Sequence, residues 1–415
     1  MASASDPRVV AGDRSSVLPN PAWRPDQAYG PAQAAILDRA SVAAAREVMS
    51  AWPGYAATPL VARPALARAA GVAELWCKDE GQRFGLGSFK ALGGAYAVQR
   101  LLSDEILARS GARPAPAELL AGRHRDLVAG ITVTSATDGN HGRSVAWGAQ
   151  LFGCPCVIYM HRGVTEARVK AIEGFGARVV RVEGTYDDSV RHCAADAARL
   201  GRRVISDTAY PGYETVPCHV MQGYGLIAEE IMAARPADWR PTHLFIQAGC
   251  GGFAAAVYAR LWEAWGESRP RLVLVEPVAA DCVFRSAAAG RLEVTPGALD
   301  TLIGGLACGE VSLVAWPILA SGAFACMTIE DAWAVEAMRR LATGGGGDRP
   351  LVAGEAGSSG VAGLLAAVAR PETRRALGLD AGSRVLTIIS EGATDPALYR
   401  TLVGRAPAEV LAAAG

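Results

Sequence analysis

The sequence lacks an excess of charge of either sign. Of its 415 residues, 41 are Lys or Arg and 41 are Asp or Glu, so the formal net charge is zero. Proteins that bind nucleic acid commonly show a basic excess or a basic stripe, and we find neither along this chain. We therefore expect a small-molecule partner and no nucleic acid.

Long apolar runs and targeting signals are also missing. No apolar run approaches the ~20 residues that span a bilayer, and residues 1–30 lack the basic start and apolar core of a secretory signal. The nine cysteines are an odd number without the CxxC spacing of a zinc site, a usage typical of a reducing compartment. These absences predict a cytoplasmic protein with no membrane partner and no metal.

What is present indicates a two-lobed α/β protein. The composition is globular, with 51% hydrophobic and 20% charged residues, and 415 residues exceed what one compact core usually holds. From about residue 130 onward, β-branched runs alternate with helical stretches and glycine turns. This alternation predicts parallel sheets covered by helices on both faces. The predicted strands are 130–136, 156–162, 177–184 and 202–208, followed by 243–249, 271–277 and 384–390.

Several local signals divide the chain. The Pro-rich segment 234–242 separates the two series of strands and predicts a lobe boundary. Thr165 and either Asp187 or Asp188 are predicted helix N-caps, and Gly176 and Gly201 are predicted helix ends. The run "TGGGGDRP" (343–350) follows no apolar strand, so we interpret it as a mobile loop rather than a phosphate cradle.

Lys90 stands in the first segment that carries chemistry, "CKDEGQRFGLGSFKALGGAY" (77–96). A lysine amine is a poor nucleophile unless its pKa of ~10.4 is lowered by burial or by a neighbouring cation. Phe89 and nearby apolar groups are candidates for such a pocket. Taken alone, the lysine favours the other interpretation, an ordinary exposed lysine at a helix start.

Hydroxyl-rich "TSATDGNHG" (134–142) is the second segment. It lies where a predicted strand ends and a helix begins, which is where open α/β sheets bind ligands. Free backbone N–H groups and hydroxyls at this point suit a carboxylate or a phosphate. The alternative is that Ser135, Thr137 and Asp138 only cap the helix.

Two further strand ends complete the set. In "QAGCGGFAAAV" (247–257), Gly249, Gly251 and Gly252 expose backbone amides at a helix start, which suits a phosphate, although the run is not a Walker A motif. In "TIISEGATDP" (387–396), the hydroxyl of Ser390 is placed to hydrogen-bond a ring nitrogen. The alternative for Ser390 is an ordinary turn serine.

The order of these segments is typical of pyridoxal-phosphate enzymes of the tryptophan-synthase-β type (fold type II). From about residue 55 to 400, the chain resembles the diaminopropionate ammonia-lyase family. Asp138 within "ATDGNHG" is the most specific mark, because simpler serine and threonine dehydratases of this fold lack that acid. The resemblance is carried by "RFGLGSFKALGGAYAV", "ATDGNHGRSVAWGAQ", "YDDSVRHCAADA", "DTAYPGYETVP", "MQGYGLIAEE", "GLACGE" and "GEAGSSG".

The resemblance implies a large cofactor-binding domain formed by residues 1–90 and 235–415, a small domain formed by residues 91–234, and a homodimer. The active site would lie in the cleft between two lobes, each a mostly parallel open sheet. Lys90 would bind pyridoxal 5'-phosphate as a Schiff base, beside Phe89. The remaining implied cofactor contacts are Gly249, Cys250, Gly251 and Gly252 to the phosphate, Asn140 to the phenolate oxygen and Ser390 to the ring nitrogen.

For the reaction, the resemblance implies α,β-elimination of D- or L-2,3-diaminopropionate to pyruvate and ammonia. One base cannot serve Cα protons on opposite faces, so Lys90 and Asp138 are the implied pair of bases. Ser135, Thr137 and Asp138 would bind the substrate, with the two hydroxyls at its carboxylate. Asp207 would pair with the substrate amine, unless it is a simple turn residue.

Other readings stay open. A dehydratase or ammonia-lyase acting on another 3-hydroxy or 3-amino amino acid is the alternative function, and a non-catalytic relative is a further one. The retained Lys90 and glycine loop disfavour the non-catalytic reading. Finally, Cys282 and Cys308 match a cysteine pair of the family, so the resemblance implies that they are neighbours, either as a disulfide or as two thiols.

Overall fold

Two separate β-sheets organise the chain. The structure, a computed structural model, describes residues 12–137 and 139–413. The predicted α/β architecture is confirmed. The eleven strands of the described part are β1 (Ser16–Pro19), β2 (Leu60–Ala62), β3 (Glu74–Asp79), β4 (Val133–Ala136), β5 (Cys156–His161), β6 (Arg178–Val182), β7 (Arg203–Val204), β8 (His243–Gln247), β9 (Arg271–Pro277), β10 (Ala323–Ile329) and β11 (Arg384–Ile389).

The larger sheet has seven strands in the order β1-β10-β9-β8-β11-β3-β2. Its five inner strands pair in parallel, while β1 and β2 close the two edges antiparallel to their neighbours. The smaller sheet, β6-β5-β4-β7, is parallel throughout. Because carboxyl ends of parallel strands share one edge of a sheet, each sheet presents a row of loops at that edge.

Helices surround the two sheets. The longest, α4 and α10, have 21 and 20 residues. The helices are α1 (Pro31–Ala34), α2 (Arg39–Ser50), α3 (Pro64–Ala70), α4 (Lys90–Ser110), α5 (Pro116–Leu120), α6 (Arg125–Ala129), α7 (Asn140–Phe152), α8 (Glu166–Glu173), α9 (Tyr186–Leu200), α10 (Thr215–Ala234), α11 (Gly252–Trp265), α12 (Cys282–Ala289), α13 (Trp316–Gly322), α14 (Asp331–Thr343), α15 (Ser359–Ala369), α16 (Pro371–Leu377), α17 (Pro396–Val403) and α18 (Pro407–Ala412), with short 3-10 turns at Arg83–Gly85, Gly266–Ser268 and Gly304–Leu306.

The larger sheet is buried on both faces. Along β8, Leu244 and Ile246 pack into one hydrophobic cluster, whereas Phe245 between them packs into the other. All five residues of β8 are buried. A strand buried on both sides has no polar face, which explains why its sequence reads as a continuous apolar run.

The strands expected from β-branched runs all form, some with shorter bounds. The segment predicted at 202–208 forms only the two-residue strand β7, and its remainder carries Asp207 into a turn. The strands β1, β2, β3 and β10 were not predicted. The helices and glycine turns next to β3 and β10 have the same apolar content as the two strands. Periodicity alone does not distinguish such a short strand from a segment of helix.

Two local predictions are wrong. The N-cap of α9 is Thr185, whose hydroxyl accepts from the N–H of Asp188 at 3.3 Å, so Asp188 is the third helical residue of a capping box. α8 ends at Glu173 and Gly174 follows as C-cap, before the predicted Gly176. The predicted caps Thr165 and Gly201 are the observed ones.

Segment 343–350, which is predicted to be a mobile loop, is hydrogen-bonded to α3 in the structure. The buried carboxylate of Asp348 accepts from the N–H groups of Ala65 and Leu66 at 2.9 and 3.1 Å, which caps the first turn of α3. Arg68 in turn donates to the carbonyl of Gly346 at 2.6 Å. The glycines therefore shape a loop that is anchored at both ends.

Among the described residues, no helix combines the length and the apolarity needed to cross a membrane.

Candidate active site

Lys90 is the first residue of α4 and follows a tightly turned loop. The loop leaves β3 and passes through Phe84, whose φ of 51° lies in the left-handed region that side chains rarely occupy. The backbone then runs beside the end of β11, where the N–H of Phe89 donates to the carbonyl of Ser390 at 3.0 Å. Lys90 is thereby held at the carboxyl edge of the larger sheet.

A buried ionic network fixes the loop that precedes Lys90. Glu230 of α10 contacts Lys78 Nζ at 2.5 Å and Arg83 Nη2 at 2.7 Å, and Arg83 Nε also binds Glu80 at 2.8 Å. All four side chains are at most 5% exposed. The charges are compensated inside the protein, so the network fixes the loop but would be costly to break.

The Lys90 amine forms an ion pair with Asp207, which follows β7 in the smaller unit. Burial alone would lower the pKa of Lys90, but Asp207 outweighs it and raises that pKa well above its usual value. This direction is the reverse of the lowered pKa expected from an apolar pocket, because the carboxylate of Asp207 faces the amine. For Asp207, the ammonium of Lys90 and then His141 overcome the effect of burial, so its pKa is held below its usual range.

Aromatic rings and the imidazole of His141 surround the Lys90–Asp207 ion pair. Lys90 Nζ lies 5.3 Å from the ring centroid of Phe89 and 5.9 Å from that of Tyr224, and Phe253 packs on Phe89 with centroids 4.0 Å apart. His141 Nδ1 lies 3.8 Å from Asp207 Oδ2. The predicted site residues Phe89, Lys90 and Asp207 thus lie in one cluster. His141, Tyr224 and Phe253 belong to the same cluster, but the sequence pattern did not indicate them.

Lys90 also differs from the other lysines of the chain in its position. The chain contains three lysines, Lys78, Lys90 and Lys170. Lys78 is fully buried in the ionic network, and Lys170 is exposed on α8. Lys90, whose side chain is 22% exposed, is the one of the three that faces the cleft.

The glycine segment 249–252 forms the start of α11, beside Asp207. Its N-cap is Gly251, which has no side chain to accept the N–H groups of the first helical turn, so these groups are available to an anion. Gly251 has φ +91°, and a Cβ there would lie 2.7 Å from Leu319 Cδ1. A Cβ on Gly252 would be 3.5 Å from the Asp207 carbonyl oxygen. This cradle of backbone amides fits a phosphate group.

Three thiols surround the cradle. The Cys308 thiol, a hydrogen-bond partner of Cys250, lowers the pKa of Cys250 to about 7. Cys282 Sγ lies 3.6 Å from the carbonyl oxygen of Gly249. All nine cysteines are free thiols, so Cys282 and Cys308 form no disulfide in this structure. The hydrogen bond with Cys250, then burial, and to a lesser degree the nearby Cys282 raise the pKa of Cys308.

Ser390 is 3% exposed, and its hydroxyl oxygen accepts a hydrogen bond from Gln247 Nε2 at 2.6 Å. Since that bond uses a lone pair and not the hydroxyl proton, Ser390 keeps a donor for a ring nitrogen. Gln247 is itself buried at the end of β8. A polar residue closing an otherwise apolar strand was the signal that could have identified it.

Residues of the "TSATDGNHG" segment play different parts. Thr137 Oγ1 accepts from the N–H groups of Gly139 and Gly142 at 3.1 and 3.2 Å, so this hydroxyl caps the start of α7. Ser135 is 1% exposed, with its oxygen 3.4 Å from the Ala136 carbonyl. Asn140 is half-buried and donates to Glu391. Asp138 lies outside the described residues.

Comparison with known proteins agrees with this geometry. A family model described as "Pyridoxal-phosphate dependent enzyme" matches residues 51–391, which defines the class of the protein. Diaminopropionate ammonia-lyase of Escherichia coli (strain K12) is 38% identical over 366 residues, which are 86% of this chain and 90% of that protein.

Solved structures of the Escherichia coli enzyme extend the likeness to the whole chain. Its holo form matches with a TM-score of 0.85 at 34% identity, covering 95% of this chain and 98% of that one. Its complex with an aminoacrylate–PLP azomethine reaction intermediate matches with a TM-score of 0.83, at the same identity and coverage. The chain belongs to the diaminopropionate ammonia-lyase family, and the predicted fold type II architecture is confirmed.

Proposed function

We propose that this protein catalyses the pyridoxal-phosphate-dependent α,β-elimination of 2,3-diaminopropionate to pyruvate and ammonia. The observation that carries the proposal is the Lys90–Asp207 pair beside the amide cradle of α11. Family membership supports the same activity, since the Escherichia coli relative is a diaminopropionate ammonia-lyase solved with a reaction intermediate.

The residues present fit the cofactor. Lys90 would attach it, Phe89 would pack beside it, and the segment Gly249–Gly252, including Cys250, would bind its phosphate. Ser390 would donate to the ring nitrogen, and Asn140 to the ring oxygen. When bound, the cofactor supplies an electron-withdrawing ring that stabilises negative charge at Cα.

The chain's own groups bind the substrate and move its protons. Asp207, kept ionised by its surroundings, would bind the substrate ammonium, and Ser135 and Thr137 would hold its carboxylate. Lys90 would take the Cα proton of the L-enantiomer and Asp138 that of the D-enantiomer. Overall, the Cα–H and Cβ–N bonds break, and water releases the second nitrogen, so that each substrate yields one pyruvate and two ammonia.

We further propose the domain division given above, with residues 1–90 and 235–415 in the large unit and 91–234 in the small one. The seven-stranded sheet draws its strands from the first set and the four-stranded sheet from the second, which supports this division. Nine free thiols support a cytoplasmic location. The family resemblance supports a homodimer, which light scattering would detect as twice the chain mass.

A substrate panel tests the function. Purified protein with added cofactor is assayed with D- and L-2,3-diaminopropionate, D- and L-serine and threonine, and both 2-oxo acid and ammonia are measured. We expect two ammonia per pyruvate from at least one diaminopropionate enantiomer, at higher kcat/KM than any hydroxy amino acid. Turnover of serine or threonine without diaminopropionate would assign a dehydratase instead.

A further inference from the structure

Two buried carboxylates, those of Glu391 and Glu355, lie where the two units meet. Glu391, directly after Ser390, is 4% exposed and accepts from the Asn140 amide nitrogen, from the Ala356 N–H at 3.2 Å and from Thr394 Oγ1 at 3.5 Å. Next to it, Glu355 is 5% exposed and contacts Arg168 Nη2 at 3.4 Å. Glu391 follows β11 and Glu355 precedes α15, whereas Asn140 and Arg168 belong to α7 and α8.

The contact with Glu391 decides how the Asn140 amide is turned. An asparagine side chain has two N–H donors on one side and an acceptor oxygen on the other. Glu391 is acceptor-only when ionised, so it binds the nitrogen side and leaves the second N–H of the same nitrogen unused. If the amide were flipped, its oxygen would face the carboxylate and the contact would become repulsive.

We propose that Glu391 is a positioning residue, which holds the Asn140 amide nitrogen so that its second N–H faces the ring oxygen of the cofactor. The inference rests on the cofactor role proposed above for Asn140. At metal sites, removal of a partner that orients a ligand side chain typically costs about 10–100-fold in affinity or activity, and we expect the same principle to apply to Asn140. The Arg168–Glu355 ion pair lies beside this contact.

The charge state of Glu391 sets the conditions of a test. Burial, followed by the charge of Glu355, raises its pKa to about 7, while Arg168 and the Asn140 amide act in the opposite direction. Asp395 adds to the negative charge around Glu355, whose pKa is raised mainly by burial. At pH 8.5 the carboxylate of Glu391 is therefore mostly ionised, and its contact with Asn140 is at full strength.

A double-mutant cycle tests the proposal. Full-length Glu391→Leu, Asn140→Ala and the double variant are titrated with pyridoxal phosphate at pH 8.5, and Kd is taken from the visible absorbance. We expect each single variant to weaken cofactor binding about tenfold, the scale of one hydrogen bond to a charged group. The double variant should bind no more weakly than Asn140→Ala, because Glu391 acts through Asn140. Glu391→Gln keeps an acceptor oxygen and should lose less.

Glu276→Leu is the matched control. Glu276 is a buried acid at the end of β9 that accepts from the Val283 and Phe284 N–H groups at 2.9 and 2.7 Å. Whatever the size of its effect, Glu276→Leu should change Kd by the same factor in the parent and in the Asn140→Ala background. If Glu391→Leu does not fold, the cycle is measured with Glu391→Gln, whose effect should also disappear in the Asn140→Ala background.

The results separate two failures. Glu391 variants that bind the cofactor as tightly as the parent, or losses that multiply with Asn140→Ala, would overturn the positioning role alone. An Asn140→Ala variant with unchanged Kd and an unchanged visible band would overturn the cofactor role of Asn140 itself.

Discussion

Asp207 faces two cationic or titratable neighbours, Lys90 and His141, at the centre of the cleft. The side chain of Asp207 is only 17% exposed, and the ammonium group of Lys90 keeps its carboxylate ionised. Because His141 Nε2 donates to the Ile205 carbonyl at 2.9 Å, Nδ1 is the ring nitrogen that faces Asp207. At the scale of residues, the site therefore contains a carboxylate that is already ionised and paired with the ammonium group of Lys90.

Asp138→Asn tests the division of labour between the two bases. The amide is nearly isosteric but cannot accept a proton, so elimination from the D-enantiomer should fall by about 10²–10⁴-fold while the L-enantiomer loses much less. Pyruvate release is measured for both enantiomers at saturating cofactor. Equal losses would indicate that Asp138 positions the loop, and no loss on either would leave it with a capping role.

Cys250 is expected to be the most reactive thiol of the protein. Its hydrogen bond with Cys308 lowers its pKa to about 7, whereas burial raises the pKa of Cys77 and Cys154 to about 12. Since the thiolate is the nucleophile, alkylation by iodoacetamide should rise through pH 7, and inorganic phosphate in the cradle should slow it. Peptide mapping identifies the site, and Cys250→Ser is the control. First labelling at another cysteine would contradict this assignment.

At the scale of elements, every part of the cleft is a strand end or the helix that follows it. β4 leads to α7, β8 leads to the amide cradle of α11, and β11 leads to Ser390 and Glu391. Parallel strands bring these ends together, so residues far apart in sequence converge without long loops.

This arrangement explains what the sequence could and could not predict. The glycines of 249–252 and the strand-end Ser390 are visible in local sequence, so the roles proposed for them can be predicted from their own segments. Gln247 and Glu391 act through contacts with side chains that stand 143 and 251 positions away. Such partners depend on the packing of two sheets, and no single segment encodes them. The Lys90–Asp207 pair was missed for the same reason, and with it the raised pKa of Lys90.

Gly251→Asp should remove the cofactor from the cradle. The new carboxylate would repel a phosphate dianion, and a Cβ at this position would approach Leu319 to 2.7 Å. Gly290→Asp is the control, since Gly290 also has a positive φ of +69° but has open space around it. Cofactor content is measured by absorbance after dialysis. Full occupancy in Gly251→Asp would place the phosphate elsewhere.

Glu230→Ala should destabilise the protein through the loop that precedes Lys90. Its removal leaves Lys78 and Arg83 buried without their shared partner, which typically costs about 3–5 kcal/mol. Glu183→Ala removes an ion pair with Arg162 in which both side chains are mostly exposed, and should stay within about 1 kcal/mol of the parent. Urea unfolding measures both. Equal, small effects would show that the network does not contribute to stability.

At the scale of the whole molecule, several side-chain contacts join the two sheet units. Asn140 meets Glu391, Arg168 meets Glu355, and Thr165 Oγ1 donates to Asp395 Oδ2 at 3.3 Å. The Lys90–Asp207 ion pair joins the same two units. Apolar packing joins them as well, since the ring centroids of Phe84 and Trp147 lie 4.8 Å apart. Lys90 therefore lies at a junction that both ionic and apolar contacts hold together.

The most direct measurement is to identify the amine that binds the cofactor. The protein is loaded with pyridoxal phosphate, reduced with borohydride to fix the bond, digested and analysed by peptide mass mapping. The three lysines lie on separate elements, so the modified peptide is unambiguous. We expect one stable adduct per chain, on Lys90. An adduct on Lys78, on Lys170 or on the terminal amine, or no adduct at all, would contradict it.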